Sequence, residues 1–407
     1  MRSAETNKLG TELELFTSVD YIGRGFPIML PRGARLIKNL RNYIEYLEER
    51  YGYKIVRTPN VSNSTIYKME DRFDDASKEE MFIIDTDTEN LGDDENDFVL
   101  RPRVEPFHCA VFGIKKHSYR ELPVKLCETS TVYRNEKDLK GLNIVRQFTM
   151  SDASVFCEPE NVEQEIYNGL RFQQALIEKM KLDNITYEIC TWNEAKKEDY
   201  IGTIAEWEDV TNAMKKALED LGLQYTVNNK AKIYGPIIRV KQDGVNFSKI
   251  QVDFEITHRF NLAYTNIDDE EKTPIYIHNT LIGSYENLLG ILISKYNGNI
   301  PLWIEPHQVV IITDGPNAKD FAEQSRREFV ANSIRVEVDD VNISVQKRID
   351  HNNEIKIPYV LVAKKDSLNR NQLYLCNEGK QVPVDVKELI NMINDRLAAE
   401  GYVRDTE

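Results

Sequence analysis

The chain has 407 residues, enough for two or three domains, each with a hydrophobic core of its own. Apolar content of 41% and charged content of 29% are those of an ordinary globular protein, and no window approaches the roughly 18 consecutive apolar residues of a membrane helix. A formal net charge of −15 disfavours non-specific nucleic-acid binding, whose affinity comes from Lys and Arg on phosphates, without excluding a local basic surface.

Met1 to Phe16 lacks the charged-then-apolar pattern of a secretory signal, so a cytoplasmic protein is expected. Leu36, Leu40, Tyr43, Ile44 and Leu47 recur at three- and four-residue steps and predict an amphipathic helix from Pro31 to Tyr51, ending near Gly52. A short strand, Tyr53 to Arg57, stops at Thr58-Pro59. The acidic run Asp85 to Asp97 reads as a solvated loop. Leu122 to Tyr133 and Ile144 to Phe156 read as the strands of a hairpin with a long polar tip. Helices follow at Asn161 to Met180 and Glu206 to Leu221. Ile237 to Lys241 and Lys249 to Ile256 form strands around the turn-prone Gln242-Asp243-Gly244.

A helix is expected from about Asn279 to Tyr296, and Asn297-Gly298-Asn299 breaks it. Beyond Pro301, strands at Val309 to Thr313, Ile334 to Val338 and Tyr359 to Ala363 alternate with helices at Asn317 to Asn332 and Val386 to Glu400. This places a domain boundary near residue 300, giving domains 1–300 and 301–407. Cys109, Cys127, Cys157, Cys190 and Cys376 form no CxxC pair and read as reduced thiols.

Ordered blocks along almost the whole chain resemble the class II aminoacyl-tRNA synthetases, the threonyl type in particular. The opening Asn7 to Phe16 resembles the start of that catalytic domain, and the long helix with Gly52 to Pro59 resembles motif 1. Arg120 to Pro123, Val132 to Glu136, Gly141-Leu142 and Val145 to Thr149 resemble motif 2. Tyr234-Gly235-Pro236 and Ile250 to Phe254 match linking strands. Ile277-His278, Gly283 to Glu286 and Pro301 to Trp303 resemble motif 3 and the exit from it. Lys356 to Tyr359 resembles a landmark of the anticodon-binding domain. The resemblance implies an α/β protein: an antiparallel class II sheet with flanking helices, followed by a small α/β anticodon-binding domain.

It also implies a site. Activation brings a carboxylate against the α-phosphate of ATP, which calls for fixed cations. By resemblance Arg134 is the catalytic bridge between the two anions; its planar fork suits both. Glu136, Arg146, Phe148, Gln251 and Ser284 complete the ATP set, with Phe148 either stacking on adenine or serving as a core aromatic. Asp152 and His278 are the substrate-binding positions, Asp152 accepting from a threonine hydroxyl. ATP with Mg²⁺ is the implied cofactor, and a homodimer through the motif 1 helix, or a heteromer with a synthetase, is the implied assembly.

Several positions depart from that family. Its zinc ion is held by one cysteine and two histidines; here Glu105 and Ser154 replace two of these and only His278 remains, a poor tetrahedral set, so no zinc is expected. His108, Cys109, His117 and Cys127 show no spacing that would rescue it. Asn287 stands where motif 3 of that family carries an arginine, Ile237 where its Tyr-Gly-Pro-Lys supplies a lysine, and Lys364 to Ser367 where its anticodon domain has a Gly-Asp-Lys-Glu-like turn. Three functions remain open: a paralogue without ordinary threonylation that acts as a binding, regulatory or partner subunit; a zinc-free ligase for threonine or another acid on a tRNA or carrier; and a nucleic-acid-binding accessory protein.

Overall fold

The protein is described from a computed structural model over residues 3–84, 97–367, 371–377 and 379–401. Apart from Asp97, the acidic run 85–97 lies outside the described residues. The chain opens with helices α1 (Ser3–Glu12) and α2 (Pro31–Arg50). It forms two compact units, residues 41–288 and residues 1–40 with 289–407.

The 41–288 unit is built on eight strands: β1 (Lys54–Ile55), β2 (Val124–Tyr133), β3 (Gln147–Cys157), β4 (Ile185–Cys190), β5 (Tyr225–Asn228), β6 (Ile237–Gln242), β7 (Val245–Asp253) and β8 (Ile275–Ile282). Their spatial order is β5-β4-β6-β7-β8-β3-β2-β1. Pairing is antiparallel throughout the centre and parallel only at the two edges, β5 on β4 and β1 on β2. Asp243 and Gly244, with φ of 47° and 80°, supply the left-handed backbone that closes the tight β6–β7 hairpin.

Helices α3 (Glu105–Phe112), α4 (Val162–Lys179) and α5 (Ile204–Asp220) belong to the same unit. In α4, Val162, Ile166, Leu170 and Leu176 are buried at helical spacing. A Cβ at Gly169 would sit 2.7 Å from Asn279 Nδ2 and 3.0 Å from Ile250 Cδ1, so only glycine lets α4 come this near the sheet. Ile250 and Asn279 are cross-strand partners, which puts α4 on their face. Side chains alternate along a strand, so Lys249, Gln251, His278 and Thr280 point to the opposite face.

The expected helix from Asn279 is corrected: Ile275–Ile282 is strand, and the helix α6 begins at Tyr285. Ile275, Ile277, Thr280 and Ile282 are β-branched and the segment is paired on both sides, by β7 and β3, a tertiary gain that outweighs local helical spacing.

In the other unit, β9 (Val309–Thr313), β10 (Val336–Asp339), β11 (Tyr359–Ala363), β12 (Gln372–Asn377) and β13 (Lys380–Asp385) lie in the order β10-β9-β11-β12-β13. The first three run parallel, and the last two close the sheet as an antiparallel hairpin. Every residue of β9 and β11 is buried, as a parallel strand covered on both faces requires. The helices are α7 (Lys319–Ala331), α8 (Val345–Glu354) and α9 (Val386–Ala399). Arg32 of α2 is buried against Glu305, with Nη2 to Oε1 at 3.0 Å. Among the described residues no helix is long and apolar enough to cross a membrane.

Candidate functional site

Strand register lines up the side chains of the face opposite α4 in two adjacent rows. Arg239, Lys249, Thr280, Asp152 and Glu128 are consecutive partners from β6 to β2; Ile237, Gln251, His278 and Ser154 form the next row. A cavity of about 290 Å³ lies over them, its wall including Glu105, Arg134, Glu136, Lys232, Lys249, Gln251 and His278.

Arg134 directly follows β2. Its Nε donates to the Pro102 carbonyl at 2.9 Å, and its guanidinium carbon stands 5.2 Å from the centre of the Phe148 ring. Among the described residues it forms no ion pair, so its fork is available to a ligand anion. The loop that returns to β3 is pinned at its base: Arg134 N–H donates to the Arg146 carbonyl at 2.8 Å, and Arg146 Nε donates to the Glu136 carbonyl at 3.1 Å. Phe148 is half-buried against Val104, Val132 and Met150. The sequence-derived set thus divides. Arg134, Glu136, Gln251 and His278 share the cavity wall, whereas Arg146, Phe148, Asp152 and Ser284 are not part of it.

Ser284 is buried and its hydroxyl accepts from the Asn287 N–H at 2.9 Å, capping α6. Asn287 is buried as well, and its Nδ2 donates to the Asn246 carbonyl at 2.9 Å. The neighbouring Glu286 accepts from the Thr149 N–H, at 3.2 and 3.0 Å to its two oxygens, and burial raises its carboxyl to about 7.

The substrate positions form a clamp. His278 lies between two carboxylates, with Nε2 at 2.5 Å from Asp152 Oδ1 and Nδ1 at 3.2 Å from Glu105 Oε1. Both contacts are donations only when the ring carries a proton on each nitrogen. Asp152 also accepts from Thr280 Oγ1 at 3.3 Å. Burial would raise the Glu105 carboxyl, but the charges of His278 and then Lys249 outweigh it and hold it well below the usual carboxylate range. Ser154, cross-strand from His278, is spent elsewhere: its hydroxyl lies 2.8 Å from His108 Nδ1 and 2.7 Å from the Tyr276 hydroxyl.

Sequence reasoning missed Lys249 and Lys232. Lys249 is in the cavity wall, and burial pulls its ammonium below the ordinary lysine value while Glu105 and Asp152 oppose this. Its signal was present: Lys249, Gln251 and Asp253 alternate with Ile250 and Val252, which places three polar residues on one face of a central strand.

Residues 87–296 match the tRNA synthetase class II core domain (G, H, P, S and T), and residues 308–396 match an anticodon binding domain. The chain belongs to the class II tRNA synthetase family, with the core and following anticodon-binding domain expected from its sequence. Within that class it is similar to the threonine–tRNA ligase of Clostridium perfringens strain SM101, at 34% identity over 406 residues, 96% of this chain and 62% of the relative. The corresponding Porphyromonas gingivalis ATCC 33277 ligase is 31% identical over 387 residues, 93% of this chain and 58% of the relative. The chain therefore spans about three fifths of the length of these curated relatives, 62% and 58%.

Among solved structures, the RNA binding domain of threonyl-tRNA synthetase from Cryptosporidium parvum Iowa II superposes with a TM-score of 0.83 at 26% identity, covering 96% of this chain and 98% of that one. Giardia lamblia prolyl-tRNA synthetase in complex with prolyl-adenylate shares the fold, with a TM-score of 0.70 at 18% identity over 98% of this chain and 79% of that one.

The zinc of the threonyl type is a poor fit to the residues present. Glu105, Asp152 and His278 each offer one donor atom within 4.8 Å of the others, the one such group among the described residues. It holds a single imidazole and no thiolate, and both ring nitrogens already face carboxylates. Lys249 lies within electrostatic reach of both Glu105 and Asp152, so an added dication would have to displace or oppose its ammonium.

Proposed function

We propose that this chain is a threonyl-type synthetase paralogue that keeps a cavity for ATP and a carboxylic acid, has lost ordinary attachment of threonine to tRNA, and serves as a binding, regulatory or partner subunit. The observation that carries this reading is the Glu105–His278–Asp152 clamp, in which the one retained family metal position is engaged on both nitrogens. Arg134, Glu136 and Gln251 would hold the nucleotide, with Mg²⁺ supplied as in the family and no zinc. Asn287 cannot act as a terminal-phosphate clamp, because it is neutral and bonded to the Asn246 carbonyl at the start of β7. In this reading residues 1–300 are the catalytic-like domain and residues 301–407 the anticodon-binding-like one, with assembly through α2 or with a synthetase.

A second reading, a zinc-free ligase for another acid, draws on one observation: Arg134 carries no ion pair among the described residues and could bridge two ligand anions. ATP–pyrophosphate exchange screened over all twenty amino acids separates the two. The first reading expects none with any of them. Strong exchange with threonine would overturn it, and exchange confined to another amino acid would move the assignment to the second reading.

A further inference from the structure

The cavity holds more cations than a nucleotide and a simple carboxylate call for. Three of them are already engaged. Arg72 pairs with Glu70 at 2.9 Å and Asp253 at 3.3 Å, Arg103 with Glu70 at 3.6 Å, and Arg239 with Glu188 at 3.7 Å. Arg134, Lys232 and Lys249 line the same wall, and none of them forms an ion pair among the described residues.

Their positions differ. Lys232 is an exposed side chain on the segment before β6, and its electrostatic neighbours are the cations Arg72, Arg134 and Arg103 and one carboxylate, Glu80. It stands on the Arg134 side, where phosphates would gather. Lys249 projects from the middle of a central strand, is flanked in register by Arg239 and Thr280, and faces Glu105 and Asp152. A carboxylate on the wall, Glu105, is suited to an ammonium group; a lysine beside it is suited to an oxyanion. Arg134 and Lys249 line one cavity, so an α-amino acid whose own carboxylate went to Arg134 would have Lys249 to meet its side chain.

We infer that Lys249 makes this cavity selective for an amino acid whose side chain carries an oxyanion, a carboxylate or a phosphate, in place of a neutral side chain such as that of threonine; this rests on the reading of the cavity as a nucleotide and carboxylic-acid site. Glu105 and Asp152 act on Lys249 without forming an ion pair with it, so a neutral side chain leaves its ammonium without a direct anionic contact that an oxyanion would supply, and that difference discriminates against it.

Isothermal titration of the full chain tests this, first with adenylyl imidodiphosphate and Mg²⁺, then with L-aspartate, L-glutamate, O-phospho-L-threonine and L-threonine. The expected result is that at least one anionic amino acid binds roughly tenfold or more tightly than threonine. Aspartate or glutamate leading identifies a carboxylate ligand, and phosphothreonine leading identifies a phosphate. The preference should collapse in Lys249→Met and persist in Lys249→Arg, which keeps the charge. Threonine binding as tightly as all three, with nucleotide bound, overturns the inference and leaves the nucleotide site standing, as does an unchanged preference in Lys249→Met. Absence of nucleotide binding overturns both. If Lys249→Met does not fold, the wild-type ranking decides.

Discussion

Burial and charge compete at three glutamates of the 41–288 unit. Burial is the largest influence at Glu48, Glu70 and Glu286, and raises each from 4.5 to about 7, against a hydrogen bond from Ser151 at Glu48, the charges of Arg103 and Arg72 at Glu70, and the Thr149 N–H at Glu286. The folded chain therefore holds protons that the unfolded chain releases between these values. Stability is fully present below about 4.5 and is lost as pH rises through about 7. Glu48→Gln should remove part of this slope, on the order of 2–3 kcal/mol for one group, read by denaturant unfolding at pH 5 and pH 7.5. An unchanged slope would show that Glu48 titrates normally.

Arg134→Ala should weaken binding of a non-hydrolysable ATP analogue by roughly 10- to 100-fold, since it removes an unpaired bidentate cation. Much of this residue set was legible in the sequence, because Arg134, Glu136, Gln251 and His278 stand in recognisable motif contexts. Two kinds of fact were hidden. The Ser284 hydroxyl turns to a helix end and Asp152 turns to His278, choices of rotamer and partner that no linear pattern records.

At the scale of elements, the sheet depends on backbone approaches that side chains would block. A Cβ on Gly235 would lie 2.0 Å from the Val252 carbonyl oxygen, so Gly235→Ala forces the chain before β6 away from β7 and should cost roughly 2–3 kcal/mol or more in unfolding free energy. Near-native stability would contradict so close an approach. At the start of α5, Thr203 and Glu206 form a reciprocal capping box, and Thr203→Ala should cost about 1 kcal/mol. Helices α4 and α5 and the hairpin strands were readable from periodicity alone. β4, β5 and β13 were not: they are short, and β5 and β13 are largely exposed, so they gain their identity from neighbouring strands rather than from their own pattern.

At the scale of the whole molecule, a net charge of −15 sets long-range repulsion against any tRNA, whatever the anticodon-binding fold at residues 308–396 retains. A gel-shift with bulk tRNA at physiological salt should show binding no tighter than micromolar; a nanomolar shift would restore tRNA as a partner. Class and domain order were legible because they rest on many ordered motifs, whereas charge balance within the cavity had to wait for the fold to bring Lys249 of β7 within electrostatic reach of Glu105 on α3 and Asp152 on β3. The most direct test of the whole account is a zinc titration of the purified chain, followed by bound-metal stoichiometry and the imidazole nitrogen resonances of His278. The expected result is no saturable zinc and His278 resonances unmoved by added zinc, since both ring nitrogens stay on Glu105 and Asp152. One tightly bound zinc per chain, with a shift of the His278 ring resonances on metal addition, would contradict it.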